Sequence, residues 1–405
     1  MSFATLQTGY MNLEKLRQQF IDLYGNDDQL VRIYFAPGRV NLIGDHIDYN
    51  GGKVLPFAIG LGTYLAIAPN KNSLVRLYSD AKDGAAVVYD PSVDELITND
   101  SWTDYVLGII SGFRKEKIEV AGFDLFYSSD LPIGSGLSSS ASLEMVTAFA
   151  INEELGGYFN IKELIKISHE AENFFVGVQC GLMDQTIIGL AKEGSLLFYD
   201  LAAGKVEYIS RNNGSPSFVV VDSKKNRTLA SSEYNERRNE CEQLLGIMKD
   251  DLGIINLCQL RRSRLKDYSS IIGDDVLVNR LDHILSENQR VEEVIISISN
   301  DDWADVGRLM KESHLSLKNN YEVSCHELDY LVELSNRSEH SLGARMTGAG
   351  MGGCIIALVN SDEVKAYIDD VSDGYMEKTG LQADFIIAEP SAGVELVDPI
   401  PEMQK

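Results

Sequence analysis

Two polar, glycine-rich stretches of this chain carry residue types that can do chemistry. The first is LPIGSGLSSSASLE, Leu131 to Glu144. It follows a strand-like run and opens a helical one, so Gly134 and Gly136 let the backbone approach a ligand, while Ser138, Ser139 and Ser140 offer hydroxyls and amides at a helix start. Such a start favours an anion. An ordinary Ser/Gly-capped turn is the plainer reading, but two glycines and three consecutive serines exceed what one cap needs. The second stretch is APGRVNLIGDHIDYNGGKVLP, Ala36 to Pro56, which crowds Arg39, Asp45, His46 and Asp48 into a segment read as a loop flanked by strands. Carboxylates that accept and Arg and His groups that donate suit a polyhydroxylated ligand. A solvated hairpin at DYNGG, or a metal site from one His and two Asp, fits the same residues. Asp184, in GLMDQTIIGL, precedes a short helical pattern, where a carboxylate serves equally as an N-cap.

Familiar nucleotide signatures are absent. No G-x-x-x-x-G-K-[ST] occurs, and the Ser-rich loop lacks the third glycine of a dinucleotide fingerprint. Gly348, Gly350 and Gly353 make a literal G-x-G-x-x-G, but CIIALV follows, a strand where that fingerprint needs a helix.

The elements that must position these groups alternate between strand and helix patterns. VRIYFA, TYLAIAP and FDLFYSS read as strands. From Ser139 to Leu155, Leu143, Val146 and Ala150, beside Met145 and Phe149, recur at helical spacing, which predicts an amphipathic helix. Asn160 with Glu163 forms a capping-box pattern opening a further helix that Gly177 stops. The cluster RNNGSPS, Arg211 to Ser217, separates strand-like SLLFYD from the apolar run FVVVD and suggests a boundary. The halves are therefore read as 1–210 and 211–405, the second with long charged helices around Tyr234 to Met248. At 405 residues two domains and a cleft are the expectation.

Charge narrows the function. A formal net charge of -25 argues against nucleic acid and anionic membranes as partners, and requires any nucleotide site to be locally electropositive. The opening MSFATLQTGYMNLEKL has no basic-then-apolar leader pattern and no long apolar run occurs, so a soluble, cytoplasmic protein is expected. Cys180, Cys241, Cys258, Cys325 and Cys354 are scattered without a C-x-x-C pair and are read as reduced core thiols.

The Ala36–Pro56 segment resembles the galactokinase signature, and the Ser-rich loop resembles the phosphate-binding motif of the GHMP small-molecule kinases. GARMTGAGMGGC, Gly343 to Cys354, is similar to that family's third motif. The likeness continues through GLMDQ at Gly181 to Gln185, SSEYNERRNECE from Ser231 and SHLSLKNNYEVSCHELD from Ser313. It implies an α+β fold of two domains, the N-terminal one like the second domain of ribosomal protein S5 and the C-terminal GHMP domain ferredoxin-like, with substrates in the cleft between. It also implies ATP-dependent phosphorylation of galactose on its C1 hydroxyl. A kinase of another galactose-like sugar such as L-arabinose, galacturonate or N-acetylgalactosamine, or a non-catalytic galactose/ATP sensor, is the alternative.

By the same resemblance Asp184 is the general base and Arg39 stabilises charge beside it. Asp45, His46, Asp48, Gly181 and Tyr234 match sugar-contacting positions, and residues Gly134 to Ser140 match the nucleotide loop. Ser140 and Glu172 match ligands of Mg2+, with Glu172 otherwise readable as an exposed charge, and Trp102 and Tyr105 loosely match an adenine wall that core packing would equally explain. The departures are Asp45 where the family carries Glu, whose carboxylate contacts the C6 hydroxyl, Ile47 for Thr, Met351 for Phe and His326 for Pro.

Overall fold

The structure, a computed structural model, describes residues 11–25, 30–81, 86–91, 96–132, 134–212, 214–225 and 230–398. Residues 1–10, Ile133 of the Ser-rich loop, Asn213 of the boundary segment and the side chain of Ser231 lie outside the described residues.

In the N-terminal part, β1 (Arg32–Asn41), β3 (Pro56–Pro69), β4 (Val75–Ser79), β5 (Val87–Tyr89) and β6 (Phe123–Ser129) form a sheet that β13 (Glu395–Asp398) completes, in the order β13-β1-β3-β6-β4-β5. A pair of short strands, β7 (Ser195–Asp200) and β8 (Lys205–Ser210), joins β2 (Lys53–Val54) in a second sheet. Period-two alternation decides which residues face which layer. Ile33 and Phe35 of β1 meet Leu16 and Phe20 of α1 (Leu13–Tyr24), whereas Tyr34, Ala36 and Val40 face the main core.

On that core face lie α2 (Thr103–Lys115), α3 (Ser139–Glu154), α4 (Ile161–Glu170) and α5 (Met183–Leu190). The α3 helix corrects the one-sided amphipathic expectation. It is wedged between β1 and β3 on one side and α2, α4 and α5 on the others, so Ser142, Glu144, Thr147 and Asn152 are buried with Met145 and Val146. Ser142 is satisfied there by donating to the Ala36 carbonyl at 2.8 Å. The Asn160–Glu163 capping box is present, and α4 runs on into a π-helical turn, Ala171–Val176, that ends at Gly177. That widened turn carries Glu172, the kind of irregularity often found at functional sites.

The segment read as one loop from Ala36 is in part strand, because β1 extends through Asn41. A β-bulge between Pro37 and Gly38 reorients the strand just before Arg39. Gly38 is needed there, since a Cβ would sit 2.7 Å from the Leu137 carbonyl oxygen of the Ser-rich loop, and the next amide, Arg39 N, donates to that same oxygen at 3.1 Å.

The C-terminal part is built on β9 (Ser217–Asp222), β10 (Ser341–Met346), β11 (Cys354–Val359) and β12 (Asp384–Ala388), all antiparallel in the order β10-β11-β9-β12. Helices α6 (Ala230–Leu252), α7 (Leu265–Ile272), α8 (Asp275–Ser299), α9 (Trp303–Ser316) and α10 (His326–Arg337) connect β9 to β10, and α11 (Val364–Thr379) connects β11 to β12. This β-α-β-β-α-β path, with the outer strands interleaved as 2-3-1-4, is the ferredoxin-like arrangement. The five cysteines are free, and no helix among the described residues is long and apolar enough to cross a membrane.

Candidate active site

Where the two parts face each other, β1, the Ser-rich loop, the start of α5 and α6 enclose a cavity of about 280 Å³. Arg39, Asp45, His46, Asp48, Gly134, Gly136, Ser138, Ser139, Ser140, Glu172, Gly181, Asp184 and Tyr234 line it together. Ser135 and Leu137 do not. Both are buried, and Leu137 belongs to the hydrophobic core, so its contribution to the loop is its backbone.

Asp184 lies in the first turn of α5, two residues past the N-cap Leu182, so it is not the cap. Its carboxylate is gripped by Arg39 through both oxygens, Nε to Oδ1 and Nη2 to Oδ2, each at 2.8 Å. The third arm of the guanidinium, Nη1, donates to the Gly136 carbonyl at 2.8 Å, and Ser138 Oγ donates to Asp184 Oδ2. Burial works against the Arg39 charge, but the neighbouring Asp184 outweighs it and raises the guanidinium pKa. Asp184, Arg39 and the Ser-rich loop are thus one hydrogen-bonded unit.

Because Ser138 spends its hydroxyl on Asp184, no side chain caps α3. Its first amides are left for an anion at the helix N-terminus. The expectation of a locally electropositive site is not met by side chains. Among the described lining residues Arg39 faces four carboxylates, Asp45, Asp48, Glu172 and Asp184. His46 adds no charge, because burial and then His283 push its pKa down to about 3.

The sugar-matching residues line the same cavity. Asp45 is almost fully buried and already engaged, accepting from Arg345 Nη2 at 2.6 Å and from Asn41 Nδ2 at 2.9 Å. Burial raises its pKa and Arg345 opposes the rise. Arg345 is completely buried and sits 3.8 Å from Glu287, which Arg290 and Arg345 hold, against burial, at a pKa of about 2. Asp48 is half-buried, and burial followed by repulsion from Asp184 raises it to about 6. Gly181 is there for a steric reason, since a Cβ would fall 1.8 Å from Asp48 Oδ2. Tyr234 reaches in from α6 with its ring 5.6 Å from that of His46.

Glu172 is buried, not an exposed charge. It accepts from Gln185 Nε2 at 2.6 Å and from Cys180 Sγ at 3.2 Å, with Ser140 bonded to it as well. Burial raises its pKa. Gln185 Nε2 also donates to Glu144 Oε2 at 3.1 Å, and Glu144 Oε1, fully buried, has no hydrogen-bond partner. A hydroxyl, a buried carboxylate and an orphaned carboxylate oxygen behind it fit a hard divalent cation such as Mg2+, which takes few protein oxygens. Tyr105 lines the pocket beside Glu172, whereas Trp102 packs edge-on against Tyr127 at 5.5 Å, so the two aromatic residues have separate roles.

Sequence reasoning gave no site role to Arg345, Gln185, Glu144 and Ala349, and it read Cys180 as a core thiol, whereas Cys180 is half-buried and lines the cavity. For Arg345 a signal existed: one Arg in an otherwise apolar strand must find a buried partner.

Family models match the galactokinase galactose-binding signature at residues 18–69, the GHMP kinases N terminal domain at residues 104–192 and the GHMP kinases C terminal domain at residues 294–375. Galactokinase from Bacillus subtilis (strain 168) is 40% identical over 383 residues, covering 94% of this chain and 98% of the relative. The galactokinase of Clostridium acetobutylicum is 38% identical over 388 residues, covering 95% and 98%. Among solved structures, Lactococcus lactis galactokinase complexed with galactose superposes with a TM-score of 0.91 at 35% identity, covering 95% of this chain and 100% of that one.

Proposed function

Since the chain belongs to the galactokinase family of the GHMP kinases, we infer that it catalyses the ATP-dependent phosphorylation of galactose, giving galactose 1-phosphate and ADP. ATP is the co-substrate. The observation that carries the reaction chemistry is the bidentate Arg39–Asp184 pair, tied to the Ser-rich loop through Gly136 and Ser138. It supports a transfer in which the C1 oxygen attacks the γ-phosphorus, its proton passes to Asp184 and the bond to the β-phosphate oxygen breaks. Arg39, beside both reacting oxygens, stabilises the charge that develops.

Residues Gly134 to Ser140 and the uncapped start of α3 hold the phosphates through backbone amides. Asp45, His46, Asp48, Gly181 and Tyr234 form the sugar wall. Ser140 and Glu172 are the residues that would hold Mg2+, which when bound neutralises phosphate charge and bridges phosphate oxygens. The excess of carboxylates over Arg39 in the cavity supports that need for a cation. The chain is divided between residues 210 and 211, except that β13 returns to the first sheet. The protein works in the cytoplasm. The test is a panel of sugars assayed with ATP and Mg2+ for sugar 1-phosphate. Galactose is expected to give the highest kcat/KM, and a preference for another acceptor would overturn the reading.

A further inference from the structure

His46 combines two unusual features. Its backbone is left-handed, with φ 63°, a region disfavoured for any residue with a Cβ. Both ring nitrogens are bonded within the protein, Nε2 to the Ala349 carbonyl at 3.1 Å and Nδ1 to the Tyr49 hydroxyl at 2.9 Å.

The direction of every bond follows from the carbonyl. The Ala349 oxygen can only accept, so the Nε2 of a neutral ring carries the proton and Nδ1 accepts from Tyr49. Tyr49 has spent its one hydrogen, so the 2.9 Å contact with the Tyr321 hydroxyl is donated by Tyr321. Tyr321 has then spent its own, and the 3.1 Å contact with Cys241 is donated by the thiol. The Cys241 sulfur accepts from Asn50 Nδ2 at 3.5 Å, and the other hydrogen of that amide goes to the His46 carbonyl at 3.1 Å. The path therefore begins and ends on His46.

We propose that this closed ring of hydrogen bonds through His46, Tyr49, Tyr321, Cys241 and Asn50 fixes His46 as the Nε2–H tautomer and so latches the sugar loop to the glycine-rich loop at Ala349. Tyr49, Tyr321, Cys241 and Asn50 are then positioning residues, and His46 acts on the sugar by holding the wall. The latch has a target. Gly348, next to Ala349, is so close to the Ser-rich loop that a Cβ on it would lie 3.0 Å from the Gly136 oxygen and within 4 Å of the Arg39 guanidinium. Burial keeps the ring neutral, as the tautomer argument needs, with a His46 pKa of about 3. The facing titratable groups on the packed elements are His283, itself lowered to about 4 by burial, and Arg237 and Arg345, whose charges oppose a second proton. The ring is anchored outside the pocket, since Arg238 donates to the Tyr49 carbonyl at 2.7 Å and His283 lies 4.5 Å from the Tyr321 ring.

The experiment is 15N NMR of the full chain labelled at histidine, with the His46 resonances identified by their loss in His46→Gln. A protonated Nε2 and an unprotonated, hydrogen-bonded Nδ1 are expected. Tyr49→Phe should move the Nδ1 resonance towards an unbonded nitrogen, Cys241→Ala should move it the same way by less, and Cys241→Ser, which keeps donor and acceptor, should restore it. In kinetics, Tyr49→Phe is expected to raise the galactose KM about three- to tenfold while the ATP KM stays within about twofold. A proton on Nδ1, an Nδ1 resonance unmoved by both Tyr49→Phe and Cys241→Ala, or equal changes in the two KM values would overturn the proposal. The kinetic arm rests on the galactose kinase reading and the NMR arm does not, so a failed reading and a failed latch give different results. Should Tyr49→Phe not fold, the Cys241 pair, at a residue that does not line the cavity, decides alone.

Discussion

Replacing Gly181 by Ala tests the sugar wall through a residue that has no side chain of its own. The added Cβ would lie 1.8 Å from Asp48 Oδ2, 2.3 Å from its Cγ and 2.8 Å from Oδ1. Ordinary contact begins near 3.4 Å, so the Asp48 carboxylate must retreat by about 1.6 Å. It cannot do so freely, because the amides of Tyr49 and Met183 hold it in place. A displacement of that size exceeds the tolerance of a hydrogen bond, so any bond from a sugar hydroxyl to Asp48 is lost. A lost bond to a charged acceptor costs about 1.5–3 kcal/mol, or about ten- to a hundredfold in affinity. The assay is kcat/KM for galactose at saturating ATP, in Gly181→Ala alone and combined with Asp48→Ala. The single variant should fall by about that factor, and adding it to Asp48→Ala should cost little more. If Gly181→Ala stayed within about threefold of the parent, or lost the same factor with Asp48 already removed, Asp48 would not be the group that Gly181 makes room for.

Asp184→Asn removes the proton acceptor but keeps the shape, so kcat is expected to drop about a hundredfold to ten-thousandfold with ATP binding, followed by calorimetry, intact. Glu172→Gln should raise the Mg2+ concentration for half-maximal rate and weaken Mn2+ binding seen by electron paramagnetic resonance, with the galactose KM moving much less; an unchanged metal dependence refutes the assignment. Asp45, drawn back onto Arg345 and Asn41, should read the C6 hydroxyl weakly. Galactose is then preferred over 6-deoxygalactose and L-arabinose by less than in Asp45→Glu, and equal preferences would show that the shorter side chain has no specificity role. Asp48, raised to about 6 by burial and Asp184, makes its ionised form a burden on the fold at neutral pH. Its folded pKa lies above the unfolded one, so this cost is complete above about pH 6 and gone below about pH 4. Asp48→Asn should accordingly stabilise the ligand-free protein by on the order of 2 kcal/mol at pH 8, with the gain fading towards pH 4 in urea titrations; a gain independent of pH would contradict the titration.

Local chemistry was legible in the sequence wherever one short segment holds a complete device. The Asn160–Glu163 capping box closes within one turn, FDLFYSS alternates with period two, and the Ser-rich loop needs only its own glycines and the helix that follows. The grouping of Arg39, Asp45, His46 and Asp48 was equally visible, because they lie within ten residues of one another. What the residues are bonded to was not. Asp184 pairs with Arg39 across 145 positions, Asp45 with Arg345 across 300, and Tyr49 with Tyr321 across 272. A side chain's spacing carries no trace of a partner so far along the chain.

The sequence by itself marked the main strands and helices, the Ser-rich loop at a helix start and the type of polar residues gathered beside it. Only the tertiary structure decided their states. The α3 helix shows why, since its apolar spacing matches that of a surface helix, and only the layers stacked on both sides make Glu144 a buried carboxylate with one oxygen left unpartnered. Burial and neighbouring charge are properties of position in three dimensions. They raise the pKa of Asp48 and Glu172, lower that of His46 and decide the engagement of Asp45, because the cost of a charge depends on the solvent and partners the fold leaves around it.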